Sequence, residues 1–135
     1  MSDSSAYIET DSYCISQHKK YIKICWKQKV TSEEIKEGLY HLLGMLQSSG
    51  VKRICSDVRL CESSWTSSNE WIIQTWLPQT LSTGLQRAAF LISNNLVQKI
   101  SVDNLYSKLK RRQSFISRFF KIFTQESEAQ AWLEA

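Results

Sequence analysis

The chain has 135 residues, of which 42% are hydrophobic and 22% are charged, and its formal net charge is +4. This length predicts one compact domain, which we place at residues 6–135 after a flexible N-terminus of residues 1–5. The mild charge excess gives no basis for nucleic-acid binding, and no apolar run approaches the roughly 20 residues of a membrane-spanning helix. We expect a cytoplasmic protein, because no apolar signal region follows the polar start.

The cysteine pattern predicts reduced structural thiols. Cys14, Cys25, Cys55 and Cys61 occur without a CxxC pair, and thiols inside strands behave as small buried hydrophobes. Cys25 and Cys55 fall inside predicted strands, whereas Cys61 falls in a loop that would leave it exposed. A zinc site needs Cys or His residues clustered at ligand spacing, which this sequence lacks. We therefore expect no metal and no other cofactor.

Two β-rich runs open the chain, Tyr7 to Gln17 and Tyr21 to Lys27, and the polar residues 18–20 between them predict a hairpin turn. The second run alternates in character, so one of its faces is expected to lie in the core. That face carries Ile22, Ile24 and Trp26.

The first helix is predicted to begin at a capping box, in which Thr31 accepts from a free backbone N–H and Glu34 reaches back to the cap. Apolar residues then recur at helical spacing until Ser48–Gly50 supplies a stop signal. The stripe consists of Ile35, Leu39, Leu42, Leu43 and Leu46.

Val51 to Ser56 predicts the next strand, and a Ser-rich loop follows it. A second capping-box pattern, Ser67 to Glu70, predicts the start of the second helix. Pro78 removes a backbone N–H from that helix, so we expect it to be bent or in two parts and to end at Gly84.

Gln86 to Ser93 is an almost unbroken apolar run, typical of a strand covered on both faces, and we expect it to be the central strand. A third helix is predicted from the apolar stripe Leu96, Ile100, Leu105 and Leu109. Its end carries a basic cluster of Lys108, Lys110, Arg111 and Arg112. Cations near a helix C-terminus complement the helix dipole, which makes a solvated face a simpler interpretation than a phosphate or acidic-partner site.

Phe115 to Phe123 predicts the last strand, and Thr124 is expected to cap a final short helix carrying Ala129, Trp132 and Leu133. A hairpin followed by alternating helices and strands predicts a single α/β domain with a mixed sheet. We expect about five strands, an N-terminal hairpin and then a parallel portion, with about four helices.

Five short pieces of the sequence also occur in an order that resembles a known family. They are residues 56–59 (SDVR), Glu70-Trp71 with Trp76-Leu77-Pro78, residues 84–90 (GLQRAAF), residues 101–104 (SVDN) and residues 129–133 (AQAWL). They resemble the SpoIIAA-like proteins, and most closely a branch from Bacteroidetes-type bacteria. That family is related in fold to the STAS domain of anti-sigma-factor antagonists and is distantly likened to the CRAL-TRIO lipid-binding fold. The resemblance implies a STAS-like fold and does not by itself assign a function.

The sequence departs from the STAS pattern at one functional position. In STAS antagonists the regulatory serine lies in a D-S-S-G-like turn at the start of the helix after this strand. Here residues 65–69 read Trp-Thr-Ser-Ser-Asn, without the Asp and the Gly. The departure argues against kinase-controlled antagonism, although Ser67 or Ser68 still offers a hydroxyl there.

The carboxyl edge of the parallel strands is the expected place for a site, because ligands of open α/β proteins bind there. The candidate residues are Asp57, Arg59, Trp65, Ser67, Ser68, Glu70, Trp71, Trp76 and Asn94. In a binding interpretation, Arg59 and helix N–H groups hold an anion beside an apolar wall from Trp71 or Trp76. In a structural interpretation, Asp57 and Arg59 form an ion pair, the polar residues cap the helix and the tryptophans pack in the core. Trp65 either folds back over the core or faces a partner.

No sequence pattern of a metal cluster, a phosphate loop or a nucleophile elbow is present, so we predict no enzyme. The leading hypothesis is a binding or regulatory module that contacts a protein partner through the loop and helix N-terminus after the third predicted strand. The alternative is a carrier of a small apolar ligand or lipid, with a pocket lined by Trp71, Trp76, Leu77 and Leu96. A pocket of roughly 300 Å³ or more at these residues would favour the carrier. A filled core with an exposed apolar patch near Trp65 would favour the interaction module. Unpaired edge strands also offer a route to a homodimer.

Overall fold

The computed structural model describes residues 7–112 and 118–135, so the predicted flexible N-terminus lies outside the described residues. The strands are β1 (Tyr7–Glu9), β2 (Tyr13–Gln17), β3 (Ile22–Trp26), β4 (Arg53–Asp57), β5 (Arg87–Leu91) and β6 (Phe120–Phe123). The helices are α1 (Ser32–Ser49), α2 (Thr66–Trp71), a π-helical segment (Ile72–Trp76), α3 (Leu77–Leu81), α4 (Leu96–Arg112) and α5 (Glu126–Glu134). No described helix combines the length and apolar character needed to cross a bilayer.

The strands form one mixed sheet in the order β1-β2-β3-β4-β5-β6. β1, β2 and β3 pair antiparallel, and β3 to β6 pair parallel, which confirms the predicted hairpin and parallel portion. The strand count is six rather than five because the run from Tyr7 to Gln17 breaks at a turn. The Thr10 hydroxyl accepts from the backbone N–H groups of Ser12 and Tyr13, both at 3.1 Å, and this local turn separates β1 from β2.

The expectation that Gln86–Ser93 forms the central strand is wrong, because β5 lies next to the edge strand β6. Its apolar run is explained by cover on both faces, since β5 contacts α5 on one side and contributes Ala88 to the main core on the other. The inner strand β4 is covered on both faces as well, since its residues 54–57 are all buried. The pattern therefore did not specify which inner strand β5 would be.

One face of the sheet, the α1–α4 face, carries the main core. Ile22, Ile24 and Trp26 are 0%, 0% and 1% exposed, which confirms the alternation predicted for β3. The capping box of α1 is also confirmed: the Glu34 backbone N–H donates to Thr31 Oγ1 at 3.2 Å, and the Thr31 N–H donates to Glu34 Oε1 at 2.8 Å.

The helical run from Thr66 to Leu81 is continuous, but its hydrogen-bond pattern changes from α to π and back to α near Pro78. The Leu77 N–H donates to the Ile72 carbonyl five residues back, so a π-type turn precedes the proline. The missing N–H of Pro78 then falls at the start of α3. The prediction that Pro78 interrupts the regular helix is confirmed by the change from π to α turns. The helix ends at Leu81 rather than at Gly84, where the chain turns with a φ of 93°.

α4 packs with a different stripe from the predicted one. Leu96 and Ile100 are exposed, whereas the buried residues are Gln98, Ser101, Val102, Leu105 and Leu109. The inner face of α4 instead carries Gln98 and Ser101, which bond the loop after β4. The expectation that Leu96 lines an apolar pocket is wrong, because its side chain faces outward and is 70% exposed. In the basic cluster, Lys108 pairs with Glu70 at 3.6 Å; the Arg112 side chain lies outside the described residues.

The opposite face of the sheet, the α5 face, is covered chiefly over β4, β5 and β6. The predicted final helix is confirmed, and its Ala129 and Leu133 are buried there. Thr124 is not its cap: the helix begins after Gln125, and no side chain bonds the free N–H groups. Of the predicted last strand, residues 115–117 lie outside the described residues, and β6 begins at Phe120.

Candidate functional site

The predicted site residues fall into separate environments. Asp57 and Arg59 lie together at the end of β4, while Trp65, at the end of the following loop, and Ser68, in α2, are both buried. Ser67, Glu70 and Asn94 are exposed, Trp71 is half-buried and Trp76 is in the core. The structure therefore joins Asp57 with Arg59 but does not assemble the tryptophans around them.

Asp57 is the centre of an ion-pair network on the α5 face. Arg59 donates to its carboxylate from Nε at 3.0 Å and from Nη2 at 2.8 Å, and the Arg59 backbone N–H adds a bond of 3.1 Å. Lys23 Nζ lies 3.6 Å away. Glu126 closes the network by accepting from Lys23 and, at 3.1 Å, from Arg59.

The network is largely self-neutralising, with two cations and two carboxylates. The hydrogen bond with Asp57 raises the pKa of Arg59, and the hydrogen bond from Lys23 lowers the pKa of Glu126. Burial opposes the charge of Lys23, but Glu126 and the neighbouring acidic groups raise its pKa overall. Because the Asp57 side chain is only 8% exposed, these bonds are what offset the cost of burying its charge.

An open groove of about 430 Å³ lies beside this network. It is lined by Lys23, Cys25, Trp26, Asp57, Arg59 and Leu60. Its charged groups already bond one another, so the groove presents a balanced polar floor with the apolar Leu60 at its rim. The residues described include no cluster of three or more His, Cys, Asp or Glu side chains placed to hold a metal ion.

Trp65 folds back over the core. Its ring meets Trp26 edge to face, with centroids 4.7 Å apart, and it is 9% exposed. Its backbone N–H donates to Ser101 Oγ at 3.0 Å, and Asn69 Nδ2 donates to the Ser101 carbonyl at 2.9 Å. The loop after β4 is therefore fastened to α4 from its inner side.

The second predicted capping box is wrong. The helix begins at Thr66, with Trp65 in the cap position and no side-chain cap bond. Packing of Trp65 against Trp26 and its bond to Ser101 fix the chain, so Ser67 lies inside the first turn and cannot cap it. Ser67 is exposed, whereas Ser68 is 3% exposed.

Three buried polar atoms of this segment have no hydrogen-bond partner among the residues that the structure describes. They are Trp65 Nε1, Ser68 Oγ and Asn69 Oδ1. Trp65 and Asn69 both line a cavity of about 20 Å³, enough for one water molecule.

The space beside the helices is too small for an apolar ligand. The largest described cavity there has a volume of about 30 Å³, whereas ligand sites need about 300 Å³ or more. Trp76 lines it but is held in the core by a 2.7 Å bond from its Nε1 to the Leu39 carbonyl. Trp71 instead packs on Tyr40 outside, with ring centroids 5.4 Å apart.

Sequence reasoning missed an exposed apolar surface at the carboxyl edge. Leu60 is 74% exposed, and Gln98 Nε2 donates to the carbonyls on either side of it, Arg59 at 3.3 Å and Cys61 at 2.5 Å. These bonds bring the Leu60 loop against the first turns of α4, where three more apolar side chains are exposed. We call Leu60, Leu96, Val97 and Ile100 the apolar edge.

The buried course of this loop also corrects the expectation for Cys61. Its thiol is 0% exposed, because the bonds from Gln98 draw the loop inwards at this residue. The sequence does hold a signal for this arrangement. Gln98, Ser101 and Leu105 also recur at helical spacing, and they form the buried face of α4.

The whole chain superposes on a solved structure of an anti-sigma factor antagonist from Mycobacterium paratuberculosis, with a TM-score of 0.56 and 100% of each chain covered. The fold is STAS-like. This confirms the predicted SpoIIAA-like, STAS-like architecture, while the Bacteroidetes branch stays a prediction. The two sequences are 8% identical, so the likeness concerns the fold alone. No protein-family model and no curated protein matches the sequence.

Proposed function

We propose that this chain is a non-enzymatic binding or regulatory module that contacts a protein partner through the carboxyl edge of its STAS-like sheet. The contact surface consists of the apolar edge together with the exposed start of α2, including Ser67. The fold match supports this assignment, because the superposed protein is an anti-sigma factor antagonist. In this proposal the partner is a protein, and neither a cofactor nor a nucleic acid takes part.

The observation that carries the proposal is the apolar edge itself. Leu60 and Leu96, 74% and 70% exposed, lie on adjacent segments that Gln98 fastens together. Grouped apolar residues with polar neighbours are typical of protein-contact surfaces. The polar neighbours here are the exposed Glu62, Asn94, Lys99 and Asp103.

The rigid attachment of this edge supports the same proposal. The loop after β4 bonds α4 through Gln98 and Ser101, and Trp65 anchors it in the core. A surface held in one conformation loses little entropy on binding, which favours affinity. The small cavities beside the helices leave the carrier alternative without an observation in its favour.

The position of the two serines refines the proposal. Ser67 is exposed in the first turn of α2, whereas Ser68 is buried. A partner or a modifying enzyme therefore reaches Ser67 without opening the fold, and Ser68 only after local unfolding. Intact-mass measurement of protein purified from its host, followed by peptide mapping, tests this: a phosphate on Ser68 but not on Ser67 would contradict it.

The proposal is tested by affinity capture from the host's own extract with three tagged proteins. They are the wild type, Leu96→Glu within the apolar edge, and Tyr7→Ser as a matched control. Tyr7 is also exposed, at 59%, but lies on β1 at the far side of the sheet. We expect a specific protein to be retained by the wild type and by Tyr7→Ser, with retention by Leu96→Glu reduced roughly tenfold or more, as for loss of a central apolar contact.

Equal retention by all three proteins would contradict the proposed surface. Thermal unfolding of each variant controls for misfolding. Concentration-dependent self-association that Leu96→Glu abolishes would assign the apolar edge to a second copy of the chain and would also contradict the proposal.

A further inference from the structure

The α5 face leaves two thiols side by side on the uncovered part of the sheet. Cys14 on β2 and Cys25 on β3 are direct partners in the antiparallel register. Directly opposed residues project from the same face of a sheet. Both thiols are free and partly exposed, because α5 packs chiefly on β4, β5 and β6.

The backbone pattern gives the spacing of the pair. The Lys27 N–H donates to the Ser12 carbonyl and the His18 N–H donates to the Tyr21 carbonyl. Because hydrogen-bonded pairs recur every second residue, Cys14 and Cys25 form one of them, with Cα atoms about 5.5 Å apart. Disulfides need Cα separations of about 4.4–6.8 Å.

The side chains must approach one another to bond. Opposed Cβ atoms lie about 4.5–5.5 Å apart, toward the upper end in a hydrogen-bonded pair, and a disulfide needs about 3.5–4.5 Å. A bond at this position therefore draws the two strands slightly together. Bonds formed under such strain are easily reduced again.

The other two cysteines are poorly placed to compete. Cys55 shares the α5 face but pairs in register with Lys23, so it is diagonal to Cys25. Diagonal neighbours are about 7–8 Å apart, beyond the reach of a disulfide. Cys55 and Cys61 are 3% and 0% exposed.

We propose that Cys14 and Cys25 form a reversible dithiol–disulfide site whose oxidant is a low-molecular-weight disulfide. The Cys14 thiolate attacks one sulfur of the small disulfide, whose S–S bond breaks and releases one small thiol. The Cys25 thiolate then attacks the Cys14 sulfur of the mixed disulfide and releases the second small thiol. The two protein thiols are oxidised, the small disulfide is reduced, and their two protons pass through solvent to the small thiols.

The order of attack follows from the surroundings of Cys25. The pKa of Cys25 is raised to about 11, chiefly by burial; Lys23 lowers it, and Asp57 and Cys14 raise it further. Its thiolate is therefore scarce, which suits it to the intramolecular second step rather than the first. The Cys25 thiol donates a hydrogen bond to Asp57 Oδ2 at 3.9 Å. Disulfide formation removes this donor, and because Cys25 lines the groove, oxidation alters the groove wall.

Tryptic mapping tests the site in the wild-type protein. The four cysteines fall in four separate tryptic peptides: residues 1–19, 24–27, 54–59 and 60–87. The native protein is incubated with oxidised glutathione, the remaining thiols are blocked, and the protein is denatured and digested. We expect peptides 1–19 and 24–27 to appear joined, about 2 Da lighter than their sum, and to separate on treatment with dithiothreitol.

Two controls keep this result specific. In denaturant the preference for the 14–25 link should disappear, since it depends on the register of β2 and β3. Cys14→Ser should yield no joined peptide. The proposal is overturned if native Cys14 and Cys25 both stay free, if they stop at separate glutathione adducts, or if the main link includes Cys55 or Cys61.

Discussion

The two faces of the sheet are closed by different kinds of interaction. On the α1–α4 face, apolar side chains fill the space and leave cavities of only about 30 and 20 Å³. On the α5 face, a smaller apolar cluster holds one helix over part of the sheet, and an ion-pair network borders an open groove. The packed face supplies stability, while the partly covered face leaves thiols and charged groups in reach of solvent.

This difference also locates the proposed function. An internal ligand site would have to displace the packing of the α1–α4 face. The carboxyl edge, in contrast, exposes apolar side chains on a loop that this packing holds in place. The proposed function therefore places binding at the edge and not inside the core.

The sharpest comparison of the two faces comes from neighbouring residues of β3. Ile24 is 0% exposed on the α1–α4 face, and Cys25 is partly exposed on the other. We expect Ile24→Ala to lower the free energy of unfolding by about 2–5 kcal/mol, because it leaves a cavity. Cys25→Ala should cost less than about 1 kcal/mol. Denaturant unfolding measures both, and similar costs would contradict the difference between the faces.

The close packing of α1 can be tested at its glycines. A Cβ at Gly38 would lie 2.6 Å from the buried ring of Trp26, whereas nothing lies within 4 Å of one at Gly44. Gly38→Ala should therefore destabilise the protein by about 1–3 kcal/mol through overpacking. Gly44→Ala should be neutral or stabilise by up to about 1 kcal/mol, since Ala favours helices. If both substitutions stabilise, α1 does not pack this closely on the sheet.

The charged network predicts a pH dependence on the α5 face. The folded-state pKa of Glu126 lies below its ordinary value of 4.5, so its stabilising effect is present above that value and is lost as the pH falls through the folded pKa. The stability advantage of the wild type over Glu126→Gln should shrink below about pH 4.5. The control is Glu128→Gln, exposed in the same turn. The effect is modest because the Glu126 side chain is 51% exposed and screened, and a pH-independent difference would contradict it.

The smallest effect on stability is expected at the apolar edge. Leu96 is 70% exposed, so Leu96→Glu should change the free energy of unfolding by no more than about 0.5 kcal/mol. Thermal or denaturant unfolding measures this change. A loss of several kcal/mol would show that Leu96 is part of the core.

Local patterns in the sequence predicted most of the fold. The alternation of β3, the capping box of α1 and the effect of Pro78 depend on residues close together in the chain, and all were confirmed. The errors occurred where distant contacts outweighed a local pattern. Ser67 and Glu70 match a capping box, but Trp65 is fixed by Trp26 and by Ser101, which lies 36 residues away.

The candidate site was less predictable for the same reason. Asp57 and Arg59 are adjacent to the end of a strand, so their pairing could be anticipated. Their partner Glu126 lies 67 residues from Arg59 and 103 from Lys23, and only the topology of the sheet brings them together. The apolar edge was missed because Leu96 and Ile100 have the helical spacing that is typical of a buried stripe. The buried face of α4 instead carries polar residues.

Photo-crosslinking in the host cell tests the central claim most directly. A benzophenone amino acid replaces Leu96 in one variant and Tyr7, on β1, in the control. The proposed function predicts a discrete adduct with a different protein at position 96 that is absent at position 7. An adduct of equal yield at both positions, or none at position 96 under conditions where the folded protein is present, would contradict binding through the apolar edge.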